Sequence, residues 1–223
     1  MSTRTVSPTL PDGRTLLYGA LVLNTEFLAV LFYPDVQSLT VDGWLNVAYA
    51  LIWINVGAWA ILRADPPSAS PRQRWTALAV AAGYLALLAA VGGLVSVGDV
   101  FSPVDLPNTG PRAAWLIPGW GPAVTYVGDL FTVVLMPYKV VGYLALAYLV
   151  YATVLDAAGA AVSGALGLLS CVSCTWPVLA SLATSLLGGS SALALVVTTW
   201  SHEISTVVFV LTVALLHWRP FGR

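Results

Sequence analysis

The sequence predicts an all-α polytopic membrane protein, a helical bundle of six transmembrane spans with seven as the next count. Three observations carry this. Hydrophobic residues make up 58% of the 223 and charged residues 9%, at a mean hydropathy of +0.85. A soluble chain of this size could not keep that much apolar surface out of water. The apolar residues fall into runs that reach the ~20 residues a helix needs to cross a bilayer. The basic residues collect in alternate connections, as the positive-inside rule requires.

Residues 1–14 form a polar tail with Arg4 and Arg14. The first span is expected over 15–33, ending at Tyr33-Pro34-Asp35 without the small-residue cleavage site of a signal peptide. The second is expected over 44–62, with Trp44 and Trp59 as interfacial anchors. A loop with three prolines and Arg63, Arg72 and Arg74 precedes the third span, expected over 75–95. Residues 96–122 hold five prolines and four glycines and read as a long outer loop, closing on an interfacial elbow from Trp115 to Pro122. The apolar run 123–155 is too long for one straight crossing. Pro137 inside it predicts one long kinked helix, or a half-helix before a span that starts near Tyr138. The fifth run, 157–187, is broken near Pro177, and Gly188-Gly189-Ser190-Ser191 turns the chain into the last, 192–218.

Six crossings within one membrane domain, 1–223, put both termini and the Arg63/Arg72/Arg74 loop on the cytoplasmic face of the cell membrane. Seven of the nine basic residues are then inside. The outer loops carry Asp35, Asp42, Asp99 and Asp105 with Arg112 as their basic residue. In the fifth span Gly159, Ser163 and Gly167 recur at i, i+4, i+8. That spacing of small residues lets helices approach closely, either within the bundle or in a homo-oligomer. Eight arginines to one lysine and eight aspartates to two glutamates fit a GC-rich, archaeal coding bias.

Ionisable groups inside a bilayer are costly and mark function by default. Here they are Glu26, Asp129, Lys139, His202 and Glu203, with Cys171 and Cys174 as the only cysteines. At ~1.5 Å per helical residue, the cysteines lie roughly 20–24 Å above the inner end of their span and His202 roughly 24 Å above Trp218. Lys139 comes to a similar level, Glu26 lower and Asp129 higher, near the interface. A C-x-x-C pair puts both sulfurs on one helix face, where they bind one soft metal ion such as copper or form a disulfide. Pro177 loosens the turn beside them. His202 and Glu203 supply a nitrogen and a carboxylate to complete a metal set. The competing readings are plain. Free cysteines pack as small hydrophobes; His202-Glu203 is a polar break capping its helix; Lys139 and Glu26 form a structural ion pair.

The stretch Leu168 to Arg219 resembles the metal-binding hairpin of MerT-type mercuric ion transporters. In those proteins a cysteine pair near a proline opens an apolar helix, a glycine-rich turn follows, and the second helix ends in basic residues. The matching parts here are Cys171, Cys174, Pro177, Gly188-Gly189 and Trp218-Arg219. The family's cysteines are adjacent, whereas Val172 and Ser173 separate these, and no glycine precedes Pro177. The resemblance covers under a quarter of the chain and implies soft-metal handling. Over its full length the chain resembles an uncharacterised family of haloarchaeal multi-span membrane proteins, which implies no activity.

Two function classes follow from the residues. One is soft-metal transport (copper or mercury type) or dithiol redox handling through the buried C-x-x-C. The other is a non-catalytic subunit or assembly factor of a membrane complex such as a respiratory oxidase. Other classes are disfavoured. A net charge of −1 gives no footprint for nucleic acid. His202 and His217 are fifteen residues apart on one predicted helix and cannot grip one haem iron. Nucleotide-binding, zinc-protease and nucleophile-elbow motifs are missing, so no catalytic set emerges.

Overall fold

The computed structural model describes residues 13–33, 38–97, 109–128, 130–157 and 201–218. The chain divides into two compact units, Met1–Thr40 and Val41–Arg223. In the first, helix α1 (Gly13–Leu31) carries a row of exposed apolar side chains, among them Leu21, Phe27 and Leu28.

The second unit is mostly helical but not all-α. Helices α2 (Val41–Arg63), α3 (Pro71–Val91), α4 (Pro137–Ala157) and α5 (Ser201–Trp218) are joined by a four-stranded sheet. Its strands are β1 (Val95–Val97), β2 (Gly110–Ala114), β3 (Ala123–Val127) and β4 (Phe131–Leu135). All pairs are antiparallel, in the order β1-β4-β3-β2. The expected all-α class is therefore corrected. Among the described residues, three helices (α2, α3, and α4 over Pro137–Asp156) are long and apolar enough to cross a membrane, while α1 and α5 offer shorter apolar stretches. Six spans are not supported. Residues 158–187 of the fifth predicted run, with its break at Pro177, lie outside the described residues, as do 192–200 of the sixth.

The largest correction concerns 123–155. Its first part is a β-hairpin, with Val124 opposite Leu135 and Tyr126 opposite Val133, closed by a hydrogen bond from Gly128 N to Phe131 O (2.9 Å). The residues explain it. Val-Thr-Tyr-Val and Phe-Thr-Val-Val-Leu are β-branched and aromatic, the types that suit a pleated surface. Pro137 does not kink a helix; it begins one, at the position where a missing N–H costs nothing. The supposed outer loop 96–122 likewise contributes the end of β1 and all of β2.

Helix α3 starts four residues before its predicted position because a capping box forms ahead of Trp75. Ser70 Oγ accepts from Gln73 N, Gln73 Oε1 accepts from Ser70 N (3.0 Å), and Pro71 occupies the first turn. It ends at Gly92, whose N–H still bonds to Leu88 O, and Gly93 at φ 72° turns the chain into β1.

Helix α4 is the centre of the unit and packs against both α2 and α3, while α5 packs mainly against α2. Helix α2 presents a stripe of Val47, Ala50, Trp53, Gly57 and Ala60, spaced three or four residues apart. Its small members let the backbones approach. A Cβ on Gly57 would lie 3.3 Å from Val141 Cγ1 and 3.4 Å from Ala145 Cβ. Close packing of small residues is how helices associate where lipid removes the hydrophobic drive. The Gly159/Ser163/Gly167 stripe lies outside the described residues.

Candidate functional site

The sheet end of the second unit gathers its polar and aromatic side chains. Four elements meet there: the first half of α2, the C-terminus of α3, and the first turns of α4 and α5. A tight turn before β3 closes over them. Its backbone bonds run from Trp120 N and Gly121 N to Ile117 O (3.0 and 3.1 Å), and Tyr138 N donates to Gly119 O (3.2 Å). Trp120 Nε1 donates to Asn46 O (3.0 Å), fastening the turn to α2. The predicted interfacial elbow is thus a clamp on the helix ends. Gly119 sits at φ 83°, and a Cβ there would lie 2.6 Å from Ala50 Cβ. Gly119→Ala is expected to cost about 1–3 kcal/mol through left-handed backbone and overpacking together, read as lowered thermal stability in detergent.

Trp53 is the hub beneath the clamp. It stacks on Phe209 of α5 (centroids 4.1 Å, 8°) and meets Tyr138 and Tyr143 of α4 edge-on (5.8 and 5.9 Å). Its indole N–H donates to Thr206 Oγ1 (3.1 Å), a buried bond between α2 and α5. Gly142 makes room, since a Cβ there would strike the Trp53 ring. Above, Trp120 lies over Tyr138 (4.8 Å) and edge-on to His202 (5.3 Å).

Among the charged groups, Lys139 donates from Nζ to Gly92 O (2.8 Å). The only lysine therefore caps the C-terminus of α3, where the helix dipole favours a cation. Glu26 belongs to α1, in the first unit. His202 and Glu203 occupy the first turn of α5, the end that favours an acidic residue. Lys139 and Glu203 both lie within charge–charge reach of His202, and Glu203 lies within reach of the Tyr49 hydroxyl. Glu203 Oε2 is buried with no hydrogen-bond partner among the described residues.

The structure thus brings Lys139, His202 and Glu203 to one end of the bundle. Cys171, Cys174 and Asp129 lie outside the described residues. No three His, Cys, Asp or Glu side chains among the described residues gather as a metal ion would need. Sequence reasoning missed Trp53, Tyr138, Tyr143, Thr206 and Phe209. A usable signal was the depth of Trp53. It lies mid-span, away from the headgroup level, where its N–H must find a partner inside the protein.

A protein-family model matches the chain over residues 1–223; its description reads "Family of unknown function (DUF7546)". No curated protein matches, so the MerT likeness gains no support, and no solved structure matches.

Proposed function

The chain belongs to this family, and we propose that it is a multi-pass protein of the cell membrane that takes up a soft metal ion, of the copper or mercury type, at its outer end. The metal is cargo. Cys171 and Cys174 supply thiolates and His202 an imidazole nitrogen, the ligands that suit soft and borderline ions, and the Glu203 carboxylate adds negative charge beside them. The observation that carries this reading is the buried Glu203 Oε2, which has no hydrogen-bond partner among the described residues and lies beside His202.

The proposed topology has six crossings and both termini in the cytoplasm. Arg63, Arg72 and Arg74 stand at the α2–α3 connection, and the sheet follows the opposite end of α3, which supports an outward-facing sheet under the positive-inside rule. Trp120 touches the first turns of both α4 and α5. Two helices that start at one end support an odd number of crossings between Ala157 and Ser201, and the proposal assigns one.

The test is Cu(I) and Hg(II) binding to the purified full chain. The wild type is expected to bind one ion and Cys171→Ser/Cys174→Ser none, with Glu203→Gln weakening affinity. Unchanged stoichiometry in the double variant would sink the reading. The second reading, a non-catalytic subunit or assembly factor, is favoured by how fully Trp53, Trp120 and Lys139 are engaged in internal bonds. Co-purification of an intact larger complex, with no metal bound, would select it.

A further inference from the structure

The sheet turns a wholly apolar face outward. Cross-strand partners share a face, so the register places Val95, Pro111, Ala113, Val124, Tyr126, Phe131, Val133 and Leu135 together on one side. Every one is apolar or aromatic. Yet this is the outward side: Val124, Tyr126, Phe131 and Leu135 are 50%, 42%, 45% and 42% exposed. The opposite face is mixed, with Ser96, Arg112, Thr125 and Thr132 beside Ala114, Ala123, Val127 and Val134, and it is there that Ser96 and Ala123 are buried. The mixed face is turned toward the protein and the wholly apolar face away from it.

We propose that the apolar face of this sheet rests on lipid, in the interface of the leaflet opposite the Arg63/Arg72/Arg74 loop. Three observations favour lipid over a protein partner. First, the sheet is tethered short on two sides. Met136 alone separates β4 from α4, and Gly92 to Leu94 separate α3 from β1. Two membrane-length helices therefore hold it at the bilayer surface. Second, three strands of five residues and one of three, ~4.8 Å apart and ~3.3 Å per residue, cover only about 300 Å². A stable protein interface needs roughly 800 Å² per partner, and lipid sets no such threshold. Third, its margin carries exposed Trp115, with Tyr126 on the face itself, the amphipathic aromatics that favour the headgroup level. The edges of an open sheet need hydrogen-bonding solvent. The sheet accordingly lies in the hydrated interface, its apolar side against the acyl boundary, and does not enter the hydrocarbon core.

The inference rests on the membrane reading above, and one experiment separates their failures. The wild-type chain is reconstituted in phosphatidylcholine vesicles holding a phosphatidylcholine with a photoactivatable diazirine on its acyl chain, and adducts are mapped by mass spectrometry. Adducts are expected on Tyr126, Phe131 and Leu135 at yields comparable to exposed Leu78 and Leu87 of α3, with Ser96 and Thr125 unlabelled. Tyr126→Asp/Phe131→Asp should lose hairpin labelling and keep that of α3. Labelled α3 with an unlabelled hairpin overturns the proposal, and so does strong labelling of the hairpin by a water-soluble diazirine. If α3 is unlabelled as well, the membrane reading itself fails and the proposal falls with it.

Discussion

Replacing Trp53 by alanine is expected to lower the stability of the helical unit by about 3–5 kcal/mol, the range for truncating a large buried aromatic. Trp53 is 6% exposed and touches three other rings from two helices. Its removal leaves a cavity that Gly142 and Ala50 are too small to fill, and strands the Thr206 hydroxyl. Thr206→Val isolates the polar part. It keeps the shape and leaves one indole N–H unsatisfied, for about 1–3 kcal/mol. The measurement is the unfolding midpoint in detergent for both variants and their combination. In the combined variant the loss should fall short of the sum, because the two side chains share one bond. A Trp53→Ala chain as stable as wild type would show that α5 does not pack on α2 as described.

What the sequence made legible was the membrane-length character of 44–62, of 75–95 in its first part, and of the run after Pro137. Hydropathy averaged over a window reports apolar content, and in those segments the content is helical. It failed at 123–135 for a physical reason. A sheet whose outward face is apolar has a hydropathy as high as a buried helix, so length and mean hydropathy cannot separate them. Alternation could have done so. Thr125 and Thr132 fall on the face opposite Tyr126 and Phe131, and Gly128-Asp129 stands between the two runs as a turn signal. The end of α3 was misplaced similarly: Gly92-Gly93 stop the helix, while Leu94 and Val95 continue the apolar run into a strand.

The candidate site was legible as a level and not as a set of contacts. Counting residues from the helix ends put Lys139 and His202 at similar heights, and both stand at the sheet end of the bundle. Counting could not reveal what each side chain does there. The bond from Lys139 to Gly92 joins residues 47 positions apart, across a sheet the spans did not anticipate. The Trp53–Thr206 bond spans 153 positions. Such pairings depend on how α2, α4 and α5 assemble, which no local pattern encodes.

Lys139→Met tests whether that lysine is a helix cap or part of an ion path. Methionine keeps most of the aliphatic stem and removes the ammonium. Gly92 O then loses its donor at the C-terminus of α3, with a cost of about 1–3 kcal/mol for an unsatisfied carbonyl. Loss of a cation at a helix C-terminus adds about 0.3–1 kcal/mol. A fall of about 2–3 kcal/mol in unfolding free energy is the expected result, with Lys139→Arg retaining part of the stability because the charge survives in a different geometry. The same substitution removes a positive charge from within reach of His202, which neighbours Glu203. A metal cation held by those two residues would then meet less repulsion, so Cu(I) affinity should rise while stability falls. Opposite signs in the two measurements assign Lys139 to the architecture of the site. A parallel loss of stability and of metal affinity would assign it to the ion's own surroundings and overturn its reading as a cap alone.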